Sequence, residues 1–150
     1  MTRRIVIQKG FPYWDTEVPF ERSLEQIKAM LRKHGCQKIA EMTDGDIAKV
    51  VFEKEGRIYL IDFPITYIEK KNRHQKTTEL AMRISGRIIH DRIKALLVGV
   101  EVQYMEFHQA MIGFLAVQGP EGRPVALMDR VDDLKGKMDQ LFLPDPGVKA

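Results

Sequence analysis

Apolar positions along the chain change period twice, and each change marks an element. Leu24, Ile27, Met30 and Leu31 recur at helical spacing. Ser23 followed by Gln26 is a capping-box signature, and Gly35 supplies a stop, so a helix is expected from Ser23 to about His34. The pattern then shortens. Cys36–Met42, Ile47–Lys54 and Arg57–Ile65 read as strands separated by Asp44-Gly45 and Glu55-Gly56, two tight-turn dipeptides. Connections this short predict an antiparallel meander. On the third strand Ile58 and Leu60 face one way and Tyr59, Ile61 and Phe63 the other, so both of its faces are expected to be covered.

Beyond Pro64 and a polar connector, Thr77–Val100 carries a broad helical stripe of Ala81, Ile84, Ile88, Ile89, Ile93, Leu96 and Val100. Arg92 falls on that apolar side and is expected either to snorkel or to meet a buried carboxylate. Gly86, mid-helix, marks a close helix contact or a kink. A further helix is expected over Tyr104–Ala116, a short strand over Val125–Met128 and a last helix over Asp129–Leu141. The fold class is therefore α+β: a three-stranded antiparallel meander packed by an N-terminal helix and a long central helix, with additional C-terminal helices. Residues 1–22 read as an arm broken by Pro12 and Pro19, 23–143 as one domain and 144–150 as a tail. The arm's aromatics, Phe11, Tyr13, Trp14 and Phe20, are expected to pin it to the body. Stacking of Tyr13 or Trp14 on a nucleic-acid base is the alternative.

Charge changes the picture more than composition does. Segment 70–94 holds eight Lys or Arg residues against Glu79 and Asp91, a net +6, whereas the whole chain is +3, so the remainder sums to −3. On a helical wheel Lys76, Arg83, Arg87, His90 and Lys94 lie within roughly 60° of one another. With Lys70, Lys71 and Arg73 on the preceding connector, they form a candidate phosphate-contacting surface expected to face outward. The competing reading is a solvated face paired with Asp129, Asp132 and Asp133 near the C-terminus.

Other chemistry finds less support. A nuclease of the restriction-endonuclease type needs an acid at a strand end and Glu-x-Lys on the next strand. Asp46 and Asp62 are in plausible places, but Pro64 occupies the lysine position, and Glu69-Lys70-Lys71 falls beyond the strand. His34, His74, His90 and His108 lack metal-ligand spacing, and Cys36 has no second cysteine, so neither a zinc site nor a disulfide is expected. Ser85-Gly86 does not form a nucleophile elbow, and the eleven glycines build no phosphate loop. No cofactor is expected and catalysis is not favoured. The lone cysteine and the short apolar run at Ile5–Ile7 lead to an expected cytoplasmic location without membrane insertion.

Val18-Pro19-Phe20-Glu21-Arg22-Ser23, Gly56-Arg57, Phe63-Pro64-Ile65, Arg92-Ile93-Lys94-Ala95-Leu96, Val100-Glu101 and Phe114-Leu115 follow an order that resembles small proteins of phages and mobile elements in bacteria and archaea. The resemblance spans residues 18–130. It implies a mobile-element setting and nothing about catalysis. The expected function is thus an accessory nucleic-acid-binding protein, with neutralisation of Arg83, Arg87 and Lys94 together expected to weaken binding without unfolding the chain. The alternative is a protein-interaction modulator of a host or replication protein, in which Met105 and Met111 line an adaptable groove, Leu141–Leu143 form an apolar patch, or the chain pairs as a homodimer.

Overall fold

A computed structural model describes residues 12–44, 47–63 and 75–131. Helix α1 spans Phe20–Lys33, and strands β1 (Gln37–Asp44), β2 (Ile47–Lys54) and β3 (Arg57–Asp62) form an antiparallel sheet in the order β1-β2-β3. Helix α2 runs from Gln75 to Glu101 and the five-residue α3 from Phe107 to Met111. Strands β4 (Ala116–Gln118) and β5 (Pro124–Ala126) make a small hairpin. The α+β architecture is as expected.

Local chemistry explains most boundaries. Helix α1 ends in a Schellman motif: Cys36 N–H donates to the Leu31 carbonyl and Gly35 N–H to that of Arg32, both at 3.0 Å. Gly35 accepts the left-handed φ of +81° that this closure requires. The β2–β3 turn places Glu55 and Gly56 at φ +52° and +76°, the two positive values of a type I′ hairpin.

The helix start differs from the expectation. α1 begins directly after Pro19, whose carbonyl accepts from the N–H groups of Arg22 and Ser23. Ser23 therefore sits inside the first turns, fully buried, and is not the cap. Proline's fixed φ of −59° presets the chain for helix entry, with the cap four residues earlier than the Ser-Gln signature implies.

Both long helices cover one face of the sheet. Val50, Phe52, Tyr59, Ile61 and Phe63 meet Leu24, Ile27 and Leu31 of α1 and Ile89, Ile93 and Leu97 of α2, with Phe107, Met111 and Phe114 closing one end. Phe52 stacks on Tyr59 at 5.2 Å, and Phe107 meets Tyr59 edge-on at 5.7 Å. Met111 is thus core, not the wall of an adaptable groove. Coverage of β3 is asymmetric: outward Leu60 is buried, whereas outward Ile58 stays 52% exposed.

Over Tyr104–Ala116 the helix is shorter than its pattern suggests. Tyr104 N–H folds back to the Gly99 carbonyl (2.9 Å), which delays α3 until Phe107. There Glu106 and Gln109 form a reciprocal capping box. A 3-10 turn over Ile112–Phe114 then releases the chain into β4, the partner that the expected strand at Val125 required. Another 3-10 turn covers Leu127–Arg130; the rest of the expected last helix, the patch Leu141–Leu143 and the tail 144–150 lie outside the described residues. Arg92 snorkels, its guanidinium 4.9 Å from the centre of the Phe114 ring, and meets no carboxylate among the described residues.

Candidate nucleic-acid interface

Helices α1 and α2 run side by side in the same direction. Ser23 and Phe20 lie against Gly86, Gln26 against Arg87, and Lys33 and His34 against Glu101. A Cβ placed on Gly86 would come within 3.0 Å of Ser23 Cβ, so glycine is what lets the two helices approach this closely. The mid-helix Gly86 thus marks helix packing.

That contact redistributes the basic stripe. Arg87 is half-buried and works as a clamp: Nε donates to Ser23 Oγ at 2.9 Å and Nη2 to Gln26 Oε1 at 2.5 Å. Arg83 pairs with Glu79 at 2.9 Å along its own helix. His90 Nδ1 donates to Asp91 Oδ1 at 2.8 Å, and its side chain is only 14% exposed. Lys94 remains exposed, with no hydrogen bond or ion pair among the described residues. Lys76 lies in the first turn of α2. Lys70, Lys71 and Arg73 lie outside the described residues. The stripe therefore does not face solvent as one continuous row; its middle is used to hold α1.

The same packing adds cations from α1. Arg22, Gln26, Ala29 and Lys33 follow one another at i, i+4, i+7 and i+11, a single helix line. Gln26 on that line touches Arg87, and Lys33 reaches Glu101 at 3.5 Å, so the line borders α2. Arg22 and Arg32 are exposed and, like Lys94, make no ion pair among the described residues. Together α1 and α2 hold nine basic residues against five acidic ones, while β1, β2 and β3 hold four of each. The positive excess belongs to the helical layer. Attention to segment 70–94 alone missed Arg22 and Lys33, although their spacing in the sequence was a usable signal.

Burial works against ionisation of Asp91, but hydrogen bonds from Tyr13 and His90, with Arg87 nearby, outweigh it and hold the carboxyl below its ordinary range. Glu101 is likewise held low by His34 and Lys33. Both acids therefore stay charged and temper the surface beside the cations.

Of the three acidic residues of the competing reading, only Asp129 is described, and it does not pair with the stripe. Asp129 sits beside Asp62 at the end of β3, on the sheet, while Asp132 and Asp133 lie outside the described residues. Asp62 is the most constrained carboxylate described: burial pushes its carboxyl up, Lys49 at 3.8 Å opposes this, and Asp129 reinforces it. Its Oδ1 is enclosed and lacks a hydrogen bond among the described residues. Asp46, the other acid of the nuclease reading, and the Glu69-Lys70-Lys71 run are outside the described residues.

Among the described residues, no three His, Cys, Asp or Glu side chains are placed to share a metal ion. His34 contacts Glu101 (3.2 Å) and His108 Nδ1 contacts the Tyr59 hydroxyl (3.0 Å). Ser85 is buried within α2. No described helix is long and apolar enough to cross a membrane. No family model, curated protein or solved structure matches the chain.

Proposed function

We propose that this protein is a non-enzymatic, accessory nucleic-acid-binding protein that engages the phosphate backbone through the outer face of the α1–α2 pair. The observation that carries this reading is the pooling of cations from two parallel helices onto one layer, with Arg22, Arg32 and Lys94 exposed and without ion-pair partners among the described residues. Its setting, on the resemblance over residues 18–130, is a phage or mobile element. Arg22, Lys33 and Lys94 contact phosphate; Arg87 holds the two helices in register and adds field from below. Contacts of this kind position a nucleic acid without reading its bases.

The test is fluorescence anisotropy with labelled single- and double-stranded DNA and RNA across a salt series. Replacing Arg22, Lys33 and Lys94 with alanine together is expected to weaken binding and to lower the salt slope by about 0.7–0.9 per phosphate contact removed. The melting temperature should hold, since the one ion pair lost, Lys33–Glu101, is at the surface. Unchanged affinity in the triple variant would refute the site. Absence of saturable binding at low salt would refute the function and favour the second reading, docking on a host or replication protein. The observation that favours that reading is an apolar patch at the end of α2, where Val98, Val102 and Tyr104 are 46%, 68% and 82% exposed.

A further inference from the structure

We infer that the nucleic acid taken by this face is single-stranded, with Trp14 stacking on a base beside the cations of the α1–α2 surface. The inference rests on the nucleic-acid reading above and adds to it the strand type and an aromatic contact.

Three observations converge on it. The described aromatics of the arm, Tyr13, Trp14 and Phe20, divide into two kinds. Phe20 packs against the core and meets Phe63 edge-on at 4.8 Å, but Tyr13 and Trp14 keep 37% and 36% of their surface open. Among the described residues Trp14 makes no ring contact. Both residues are covered only in part, and Trp14 keeps open some of the amphipathic surface that base stacking uses.

The described part of the arm, from residue 12 onward, is also held against α2. The Tyr13 hydroxyl donates to Asp91 Oδ2 on α2, and Asp91 is held in turn by His90. Thr16 N–H closes a turn onto the Tyr13 carbonyl at 3.0 Å, with Tyr13 at a left-handed φ of +63°. The Tyr13 phenol is pushed up by its bond to Asp91, with Arg87 acting in the opposite direction, which places the ring within the field of the clamp arginine. Lys94 lies one helical turn beyond Asp91 on the same helix. A base on Trp14, next in the chain to Tyr13, would thus lie beside the part of α2 that carries Arg87 and Lys94.

Shape argues against a duplex as the preferred ligand. Each helix is about 10–12 Å across with its side chains, and the major groove is about 12 Å wide. α1 and α2 lie flank to flank on a sheet, so neither can enter the groove alone. In a duplex, moreover, the base faces are already stacked on one another and are closed to Trp14, whereas a single strand can present them.

Trp14 is the only tryptophan of the chain, so its own fluorescence reports the contact. The wild-type protein is titrated with oligo-dT of about 15 nucleotides, within the site sizes common for single-strand binders. A duplex of equal length serves as comparison, and Trp14→Ala and Trp14→Phe are followed by anisotropy of the labelled strands. The expected result is saturable quenching by oligo-dT, an affinity loss of about tenfold in Trp14→Ala, retention in Trp14→Phe, and weaker duplex binding that neither variant changes. Equal melting temperatures confirm that the variants are folded. Binding of oligo-dT without quenching, at equal affinity in Trp14→Ala, would overturn the stacking contact and leave the backbone reading intact. Absence of binding to either probe would overturn both.

Discussion

Arg87→Ala separates a phosphate ligand from a structural clamp. In the folded protein its guanidinium bridges α2 to Ser23 and Gln26 of α1, and Ser23 is fully buried. Hydrogen bonds to a charged group contribute about 1.5–3 kcal/mol each. The sum is not reached here. Arg87 and Gln26 are only half-buried, so water competes for part of the interaction. The Ser23 hydroxyl can also turn back to the carbonyl four residues earlier, recovering part of what the truncation removes. A net loss of about 2 kcal/mol is expected once both bonds go. For a domain of this size that lowers the melting temperature by about 4–8 °C.

The assay is thermal unfolding followed by circular dichroism. Lys94→Ala, the exposed comparator, should stay within about 0.5 kcal/mol of the wild type. Ser23→Ala and the double variant complete a cycle whose coupling should be about 1 kcal/mol. An Arg87→Ala protein that melts within about 1 °C of the wild type, or a cycle with no coupling, would refute the clamp. The consequence for the proposed interface is direct. Truncating Arg83, Arg87 and Lys94 together loses stability along with charge, so that combination cannot isolate a phosphate contact, whereas Arg22, Lys33 and Lys94 can.

Two further outcomes follow from buried titratable groups. Asp62 is held above its ordinary value, chiefly by burial, so its contribution to stability is fully present below the unfolded carboxyl value, about 3.9, and is lost as pH rises through the folded one. Asp62→Asn should therefore raise the melting temperature at pH 7, with the gain shrinking as the pH is lowered toward about 4; a gain independent of pH, or a loss at pH 7, would refute this assignment. Burial also pushes the Cys36 thiol up to about 11, only partly opposed by Lys54, so the native protein should resist iodoacetamide at neutral pH and react at the rate of unfolding. Rapid labelling under native conditions would show the thiol to be accessible.

Local signals in this chain were legible where a residue's backbone chemistry decided the outcome. Gly35 and Glu55-Gly56 marked a helix end and a hairpin because positive φ is a property of the position itself. The short connections between the apolar runs marked the antiparallel meander that β1, β2 and β3 form. The boundaries that were missed depended on partners farther along the chain. β4 is three residues long and reads as the end of a helical run until Ala116–Gln118 is set against Pro124–Ala126. The fate of Arg92 depended on Phe114 and Met128 arriving from another element.

The candidate interface has the same logic. A helical wheel states which residues share a face; it does not state which neighbour takes that face. Gly86 was the one hint, since a glycine beside Ser85 in a long helix invites another backbone to approach. Once α1 docks there, Arg87 is drawn inward to satisfy Ser23 and Gln26, and the row from Lys76 to Lys94 is interrupted. The contact that removes this cation from the surface also sets the α1 line carrying Arg22 and Lys33 along the border with α2. A phosphate backbone following the surface would therefore run between two helices instead of along one, and the cations that matter would be distributed over sequence positions 22 to 94. This is why the decisive variants pair α1 with α2: an alanine series confined to segment 70–94 would mix the clamp with the contacts and leave half of the surface untouched.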